Sequence, residues 1–178
     1  MATSHRQAGV TLIEAVIVVA IAAITASSAA PAFNRFIEKQ RLDGAAAQLA
    51  ADLHFTRAES VLRNGSLRLT VQTKPWGSCY VVHSGAAGEC ACAESGPAQC
   101  IGDAREVKTV QWPAAQKIAL QGNVSSILFD PLHGTSTPTG TLKVVAASGR
   151  ALHHVVNVMG RVRTCSPRGS VPGYAVCA

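Results

Sequence analysis

The amino-acid sequence predicts an α+β fold in which one long helix precedes a domain of antiparallel strands. The first observation is a run of twenty uncharged residues, 15–34, in which Ala, Ile and Val dominate. The second is a change in apolar spacing after Gly65, from a helical period of about 3.6 residues to a strand period of about two. Together these patterns place the helix first and the sheet after it.

The uncharged run is long enough to span a membrane. About twenty helical residues cross a hydrocarbon core, and the leader before the run carries Arg6 and no acid. A basic leader stays on the cytoplasmic side, so the rest of the chain is expected to be exported. A secretory signal would be cut after its apolar region, whereas here the expected cut lies before it. Glu14 heads the run, where a carboxylate is costly and is therefore a candidate functional residue.

Residues 35–64 are expected to continue the helix as an amphipathic one. They include no proline, and Glu59 and Arg63 form an i, i+4 pair before the stop signal Asn64-Gly65. Apolar residues recur at helical spacing. These residues are Leu42, Ala46, Leu49, Leu53 and Val61. A helix over 10–62 would be about 80 Å long at about 1.5 Å per residue.

Seven segments after Gly65 are predicted to be strands. The first is 67–72, in which apolar and polar side chains alternate. The others are 79–83, 106–112, 117–121, 126–129, 141–147 and 150–158. Ser148-Gly149 between the last two is typical of a hairpin turn. Segments 85–103 and 131–140 are rich in Gly, Ser, Thr and Pro and are predicted to be loops.

The chain is therefore expected to have four parts. Residues 1–9 are a leader, 10–34 a transmembrane or filament-core half of the helix, and 35–64 its amphipathic half. Residues 65–178 are a globular β domain with a basic, disulfide-closed C-terminal tail. The part beyond the membrane segment is long enough for a single hydrophobic core.

Six cysteines lie beyond the membrane segment. An even number in an exported domain predicts disulfides, because that compartment is oxidising. Cys165 and Cys177 stand apart near the C-terminus and are expected to pair. The other four allow three connectivities, and their spacing is not the Cys-x-x-Cys typical of tetrahedral zinc sites, so no metal is expected. These four are Cys79, Cys90, Cys92 and Cys100.

Positive charge is concentrated in the last 48 residues of a chain whose net formal charge is +6. All ten acidic residues lie before position 131. The basic residues after it are Lys143, Arg150, Arg161, Arg163 and Arg168. His133, His153 and His154 lie in the same stretch and would add charge below about pH 6.5. A surface of one sign favours a polyanionic partner such as nucleic acid, an acidic lipid or polysaccharide, or an acidic protein.

Arg161 and Arg163 are candidates for contact with a phosphate backbone. Residues two apart on an extended segment project to one face, and arginine binds phosphate through paired hydrogen bonds. Arg168 lies on the loop that a Cys165–Cys177 disulfide would restrain, and Gly160 would permit a positive φ or a close backbone approach. The alternative is that these arginines form a solvated strand edge that prevents pairing with other chains.

An enzymatic function is not expected, and neither is a cofactor. The sequence has no recognisable nucleophile elbow and no glycine-rich phosphate loop, and its tail has no acid to act as a ligand. His153 and His154 would point to opposite faces of a strand, so they would not share a metal.

The segment Gly9-Val10-Thr11-Leu12-Ile13-Glu14 resembles the type III signal of type IV pilins and type II secretion pseudopilins. The resemblance implies that a prepilin peptidase cuts after Gly9 and methylates the amine of Val10. It makes Glu14 the fifth residue of the mature chain. A buried Glu14 carboxylate would pair with the positive Val10 amine of a neighbouring subunit, since either charge alone is costly in a low dielectric. Such a pair would set the axial register of a filament.

The C-terminal tail resembles the signature of FimT-type minor pilins in the FimT/GspH class. The similarity rests on Gly160-Arg161-Val162-Arg163 ahead of a Cys-flanked loop that ends near Gly173-Tyr174. It implies a type IV pilin-like fold, with a long N-terminal helix packed on an antiparallel sheet, and a role in DNA uptake. Arg161 and Arg163 match the motif, whereas Arg150, Arg168 and Lys143 are candidates from charge alone.

Two functions from different classes follow. In the first, the chain is a minor type IV pilin that binds double-stranded DNA non-specifically and aids natural transformation. In the second, it is a structural minor pilin for pilus assembly, or a GspH-like pseudopilin of type II secretion, with no nucleic-acid role. Both imply other major and minor pilins and the prepilin peptidase as partners. Both imply a single-pass inner-membrane protein with a periplasmic C-terminal domain, which later reaches the pilus or cell surface.

Overall fold

The computed structural model describes residues 11–177 and contains one long helix, α1, at Leu12–Leu62. Val10, the expected start of the helix, lies outside the described residues. The chain divides into two compact units, Met1–Glu38 and Lys39–Ala178. The expected α+β arrangement, a long helix followed by antiparallel strands, is confirmed.

Eleven strands follow α1 within the described residues. They are β1 Leu67–Lys74, β2 Gly77–His83, β3 Cys90–Ala91, β4 Gln99–Cys100, β5 Glu106–Pro113, β6 Ile118–Gly122, β7 Ser126–Phe129, β8 Ser136–Thr137, β9 Gly140–Ala146, β10 Ala151–Val156 and β11 Val162–Cys165. The seven predicted strands are all present, with bounds that differ by two residues at most. The predicted loops contain the short strands β3, β4 and β8, and β11 is an additional strand.

The strands form two antiparallel sheets and one ribbon. The first sheet has the order β5-β2-β1-β7-β8, the second has the order β11-β10-β9-β6, and β3 pairs with β4. Val145 of β9 lies opposite Ala151 of β10, which confirms the predicted hairpin at Ser148-Gly149. Gly149 has a φ of +84°, a conformation that glycine adopts without steric cost.

The first unit contains the apolar half of α1. This helix includes an 18-residue stretch with a mean hydropathy of 2.2, so the helix is long and apolar enough to cross a membrane. Large apolar side chains such as Ile13, Ile17 and Ile24 are exposed there. A helix that exposes apolar side chains on all sides is suited to a lipid environment and not to water.

The second half of α1 buries its apolar stripe in the core of the second unit. Leu42, Ala46, Leu49 and Leu53 are all buried, as their spacing predicts. They pack in one cluster with residues of both sheets, and burial of each leucine contributes about 1.5–3 kcal/mol. Val61 is 50% exposed, so its assignment to the buried stripe was wrong. It lies in the last turns of α1, outside this cluster.

A buried carboxylate joins α1 to the first sheet. Asp52 accepts hydrogen bonds from the Tyr80 hydroxyl at 2.7 Å and from Lys108 Nζ at 2.6 Å. Burial raises the pKa of Tyr80, and the hydrogen bond and charge of Asp52 raise it further, so the phenol remains a donor. Because a buried carboxylate without partners is costly, these bonds favour one register of α1 on the sheet.

Three disulfides cross-link the second unit: Cys79–Cys92, Cys90–Cys100 and Cys165–Cys177. The structure contains the C-terminal pair that the sequence predicts, and it selects one of the three connectivities left open for the other four. Cys79–Cys92 attaches the segment between β2 and β5 to β2, and Cys90–Cys100 joins β3 to β4 within that segment. Among the described residues there is no free cysteine and no group of side chains suited to hold a metal.

Candidate nucleic-acid interface

The turn before β11 is held against α1 by two glycines. Arg57 of α1 donates from Nε to the carbonyl oxygen of Gly134 at 2.8 Å. Gly160 has a φ of +68°, and a Cβ placed on it would lie 2.6 Å from that oxygen and 2.8 Å from Arg57 Nε. Gly160 therefore has both the positive φ and the close approach that glycine alone permits. A side chain at this position would displace the turn or Arg57.

Asn157 fixes the backbone immediately before the first arginine of the motif. The N–H of Gly160 donates to the Asn157 carbonyl at 2.9 Å, and the N–H of Arg161 donates to Asn157 Oδ1 at 2.9 Å. The N–H of Asn157 donates in return to the Arg161 carbonyl at 3.2 Å. These bonds restrict the backbone of Arg161, which reduces the entropy lost when its side chain binds a partner.

Arg161 and Arg163 lie on the exposed side of an edge strand. Arg163 is in β11 and lies opposite Val155 of β10, while Arg161 immediately precedes the strand. Both arginines are exposed, whereas the residues that follow each of them, Val162 and Thr164, are half-buried. The two side chains therefore project to the same side, with Cα atoms about 7 Å apart. This arrangement leaves two guanidinium groups on one exposed side, and guanidinium groups form charge-assisted hydrogen bonds with anionic groups.

Lys143 lies on the same outer face of the second sheet, two strands from β11. It is opposite His153 of β10, which is opposite Cys165 of β11. A spacing of about 4.8 Å between strands puts Lys143 about 10 Å from β11 across the sheet. None of the four strands, as the structure describes them, contains Asp or Glu. The charged groups of this face are therefore all basic.

His153 and His154 do not add charge just below pH 6.5, and that expectation was wrong. Burial lowers the pKa of His153, and the charge of Lys143 lowers it further. His154 points to the opposite, buried face, where burial, and then the charge of His153, lower its pKa to about 4. Its Nδ1 lies 3.0 Å from Thr164 Oγ1. Near neutral pH, lysine and arginine supply the positive charge of this region.

Arg168 lies beyond the other end of β11, on the loop that the Cys165–Cys177 disulfide closes. The N–H of Ser166 donates to the Ala175 carbonyl at 2.8 Å, and the N–H of Cys177 donates to the Ser166 carbonyl at 3.2 Å. Arg168 itself is exposed and has a φ of +53°. The cross-linked loop thus holds a third arginine at the opposite end of β11 from Arg161.

Arg150 does not join these residues. It lies in the hairpin between β9 and β10, with its Nε 3.4 Å from Ser148 Oγ. Val155, which faces Arg163, is five positions further along β10. At about 3.3 Å per residue, Arg150 is about 17 Å from that point. The structure therefore groups Arg161, Arg163 and Lys143 on one face and sets Arg150 apart.

Sequence reasoning missed the residues that reach this region from elsewhere in the chain. Arg57 and Gly134 are 77 residues apart, and no local pattern predicts their hydrogen bond. Asp130 lies just before Gly134, and its Oδ1 accepts the N–H groups of Leu132 and His133 at 3.0 and 2.9 Å. The His133 bond, and to a smaller degree the Leu132 bond, hold the pKa of Asp130 below its usual value. One carboxylate therefore stands near an otherwise basic region.

The residues expected to be processed lie at the edge of the described chain. Gly9 and Val10 are outside the described residues. Glu14 is in the first turn of α1, and its backbone N–H donates to Thr11 Oγ1 at 3.3 Å. Thr11 therefore acts as an N-cap, which satisfies one of the free amide groups at the start of a helix.

Two family models match the chain. The first, described as type II transport protein GspH, matches residues 45–160, which is more than half of the chain. The second, the prokaryotic N-terminal methylation motif, matches residues 4–30. The GspH match ends at Gly160, so Arg161, Arg163 and Arg168 lie outside it. No curated protein matches the chain.

Two crystal structures of the type IV minor pilin FimU from Pseudomonas aeruginosa strain PAO1 are similar to this fold. The structure in space group P21 has a TM-score of 0.55 at 16% identity and covers 76% of this chain and 99% of the other. The structure in space group P65 has a TM-score of 0.52 at 16% identity and covers 73% and 100%. These matches show a shared fold. With the GspH model matching more than half of its length, the chain belongs to the GspH family of type IV pilin-like minor pilins and pseudopilins.

Proposed function

We propose that this chain is a minor type IV pilin that binds double-stranded DNA non-specifically and aids DNA uptake in natural transformation. The observation that carries the proposal is the pair Arg161 and Arg163, both exposed on one side of an edge strand whose start is fixed by Gly160. Guanidinium groups form charge-assisted hydrogen bonds with phosphate, and phosphate contacts supply most of the affinity in non-specific DNA binding.

The contacts are to phosphates and not to bases. Base readout requires a helix or a two-stranded ribbon inside the major groove, and this region offers arginines along a strand edge. Binding is therefore in the micromolar or weaker range typical of non-specific contacts. Arg168 and Lys143 extend the surface, whereas Arg150 contributes only through its long-range field, which salt screens beyond about 10 Å. Several copies on one filament raise the effective affinity.

The N-terminal segment supports a second part of the proposal. The prepilin peptidase cleaves after Gly9 and methylates Val10, so that residues 10–34 anchor the chain in the inner membrane and later enter the filament core. Residues 35–178 then lie in the periplasm, and later at the pilus surface among other major and minor pilins. Glu14 pairs with the Val10 amine of a neighbouring subunit. The methylation-motif match over residues 4–30 and the apolar half of α1 support this part.

N-terminal sequencing of the mature protein tests the processing step. Val10 is the expected first residue, and a chain that begins elsewhere would contradict the proposed cut. Glu14→Val should still be processed but should fail to enter filaments, since the pairing of charges in the apolar core is lost.

A structural role without DNA binding is the second candidate, either as a pilus-assembly minor pilin or as a GspH-like pseudopilin. Apolar side chains beside the arginines favour it: Met159 is 60% exposed and Leu132 is 75% exposed. Gly134 and Gly160 are close enough to bring their two loops together. Clusters of exposed apolar groups are typical of protein–protein contacts. In that case the arginines would only keep the edge strand hydrated and prevent it from pairing with other chains.

A gel shift with a chain that begins at Lys39, the first residue of the second compact unit, separates the two candidates. DNA binding predicts a shift of duplex DNA at low salt, the same shift with unrelated duplexes, and its loss as salt rises. Circular dichroism on the same preparation verifies that the domain is folded. A folded domain that gives no shift at low salt would favour the structural role.

A further inference from the structure

We propose that the end of the domain where α1 begins its contact with the sheets docks on anionic phospholipid headgroups. We name this the proximal surface and define it by Arg41, Lys74 and Lys117. It lies at the opposite end of the Lys39–Ala178 unit from Arg161. The inference depends on α1 being a membrane anchor and is independent of DNA binding.

Contacts of α1 establish that the two basic regions lie at opposite ends of the domain. Arg57 contacts Gly134 beside Gly160, whereas Arg41 lines a cavity with Trp112 and Ile118. Arg57 follows Arg41 by sixteen positions, which corresponds to about 24 Å along the helix. The strands give the same placement of the two ends. The end of β1 and the starts of β2, β6 and β10 all lie at the end of the domain that contains Arg41.

The proximal surface contains an open cavity of about 330 Å³ between Lys74 and Lys117. Most of its lining is apolar, and it includes Pro75, Ile118, Ala119, Val145 and Ala146. Lys117 is exposed, and two backbone hydrogen bonds fix the turn on which it lies. Its N–H donates to the Ala114 carbonyl at 3.0 Å, and its carbonyl accepts the N–H of Ala147 at 3.1 Å. Two ammonium groups beside an apolar lining suit a lipid phosphate and the glycerol and methylene groups next to it.

The charge of the proximal surface has one sign. Among the described residues, none of those that line this cavity or the one beside Arg41 is acidic. Asp43, the closest acid to Arg41 along α1, lies 3.6 Å from Lys39 in an ion pair. Arg150 is close by, since its carbonyl accepts the N–H of Ala146 at 2.8 Å. A surface of this kind is complementary to an anionic leaflet.

Chain length keeps the proximal surface near the membrane. Arg41 follows the uncharged segment 15–34 by seven residues, a reach of at most about 25 Å even when fully extended. This limit holds for any orientation of the two units. The covalent link supplies the membrane surface at high effective concentration, whereas an acidic protein would have to be recruited. A lipid headgroup is therefore the favoured occupant.

Lysine acetylation of the full chain in nanodiscs, measured at each residue by mass spectrometry, tests the proposal. One set of nanodiscs contains phosphatidylcholine, and the other contains about one quarter phosphatidylglycerol. Lys74 and Lys117 should react at least about threefold more slowly in the anionic nanodiscs, and high salt should remove the difference. Lys143, on the outer face of the second sheet, is the internal control and should react equally in both. Equal rates at Lys74 and Lys117 in the two nanodiscs would overturn the proposal.

Further measurements in the same assay identify what binds to the proximal surface. Inorganic phosphate added to phosphatidylcholine nanodiscs should give no protection, and protection equal to that in anionic nanodiscs would reject lipid docking. Protection that follows the number of protein copies per nanodisc, and not the lipid, would assign the surface to a second chain. Arg41→Gln with Lys117→Gln should abolish the protection of Lys74. Arg161→Gln with Arg163→Gln removes the same charge and should leave it intact, whether or not those arginines bind DNA.

Discussion

Replacing both Arg161 and Arg163 with glutamine should remove most of the salt dependence of DNA binding. Each phosphate neutralised on duplex DNA contributes about −0.9 to the slope of log affinity against log salt. We count one phosphate for each exposed arginine, Arg161, Arg163 and Arg168, and none for the half-buried Lys143, so the slope is about −2.7. Affinity should therefore fall about 40-fold between about 50 and 200 mM salt, and only about 3.5-fold in the double variant, whose slope is about −0.9.

Fluorescence anisotropy of a labelled duplex, titrated with the domain at several salt concentrations, gives the slope directly. Arg41→Gln with Arg105→Gln is the matched control, because both residues are exposed and lie outside the second sheet. This control has the same net charge as the double variant and should keep a slope near −2.7. The reasoning is refuted if the double variant keeps the original slope, or if the control loses as much of it.

The remaining predictions concern stability. Gly160→Ala should lower the free energy of unfolding by more than about 2 kcal/mol, since a left-handed backbone and a backbone clash act together. Gly149 also has a positive φ but has open space around it, so Gly149→Ala should cost only about 1–2 kcal/mol. Urea titration measures the free energy of unfolding of both variants, and equal costs would contradict the clash at Gly160. Replacing Cys165 and Cys177 with serine should cost about 3 kcal/mol in urea under oxidising conditions, and unchanged stability would show that the loop needs no cross-link. His154 has a folded pKa of about 4, below the unfolded value, so stability present above about pH 6.5 falls by up to about 3 kcal/mol as pH drops toward 4. His154→Gln should flatten the fall in urea midpoint between pH 7 and 4.5, and an unchanged pH profile would rule out this histidine as its source.

The long helix and seven of the strands could be predicted because their signals are local. The buried stripe from Leu42 to Leu53 repeats with the period of a helix, and the strand periods after Gly65 continue for several residues each. Ser148-Gly149 marks a turn whose geometry requires a positive φ. Sequence patterns of this kind predict the structure correctly because the residues that they place on one face of a helix or strand are the ones that pack in the core.

The short strands could not be predicted, because their pairing depends on distant parts of the chain. Cys90–Ala91 and Gln99–Cys100 have two residues each, and the disulfide between their cysteines accompanies their pairing. Val162–Cys165 has one exposed arginine between two half-buried residues, and it becomes a strand by pairing with β10. Too few residues carry the pattern for a period to be recognised in the sequence.

The candidate site was predicted in composition but not in arrangement. Charge counting grouped Arg150 with Arg161, whereas the hairpin register places Arg150 in a different part of the sheet. It also assigned charge to His154, because burial is not visible in a count of residues. The contact of Arg57 with the Gly160 turn joins α1 to a loop about a hundred residues later, and no sequence period spans such a separation.

Natural transformation by cells that carry Arg161→Gln and Arg163→Gln tests the DNA-uptake proposal most directly. The account predicts that the chain is still cut after Gly9 and still enters filaments, while transformation falls by at least about tenfold. Cells that carry Arg105→Gln, an exposed arginine outside both the second sheet and the proximal surface, should transform normally. Unchanged transformation in the first strain, or a loss that accompanies the disappearance of filaments, would contradict DNA binding through β11 and support a structural pilin.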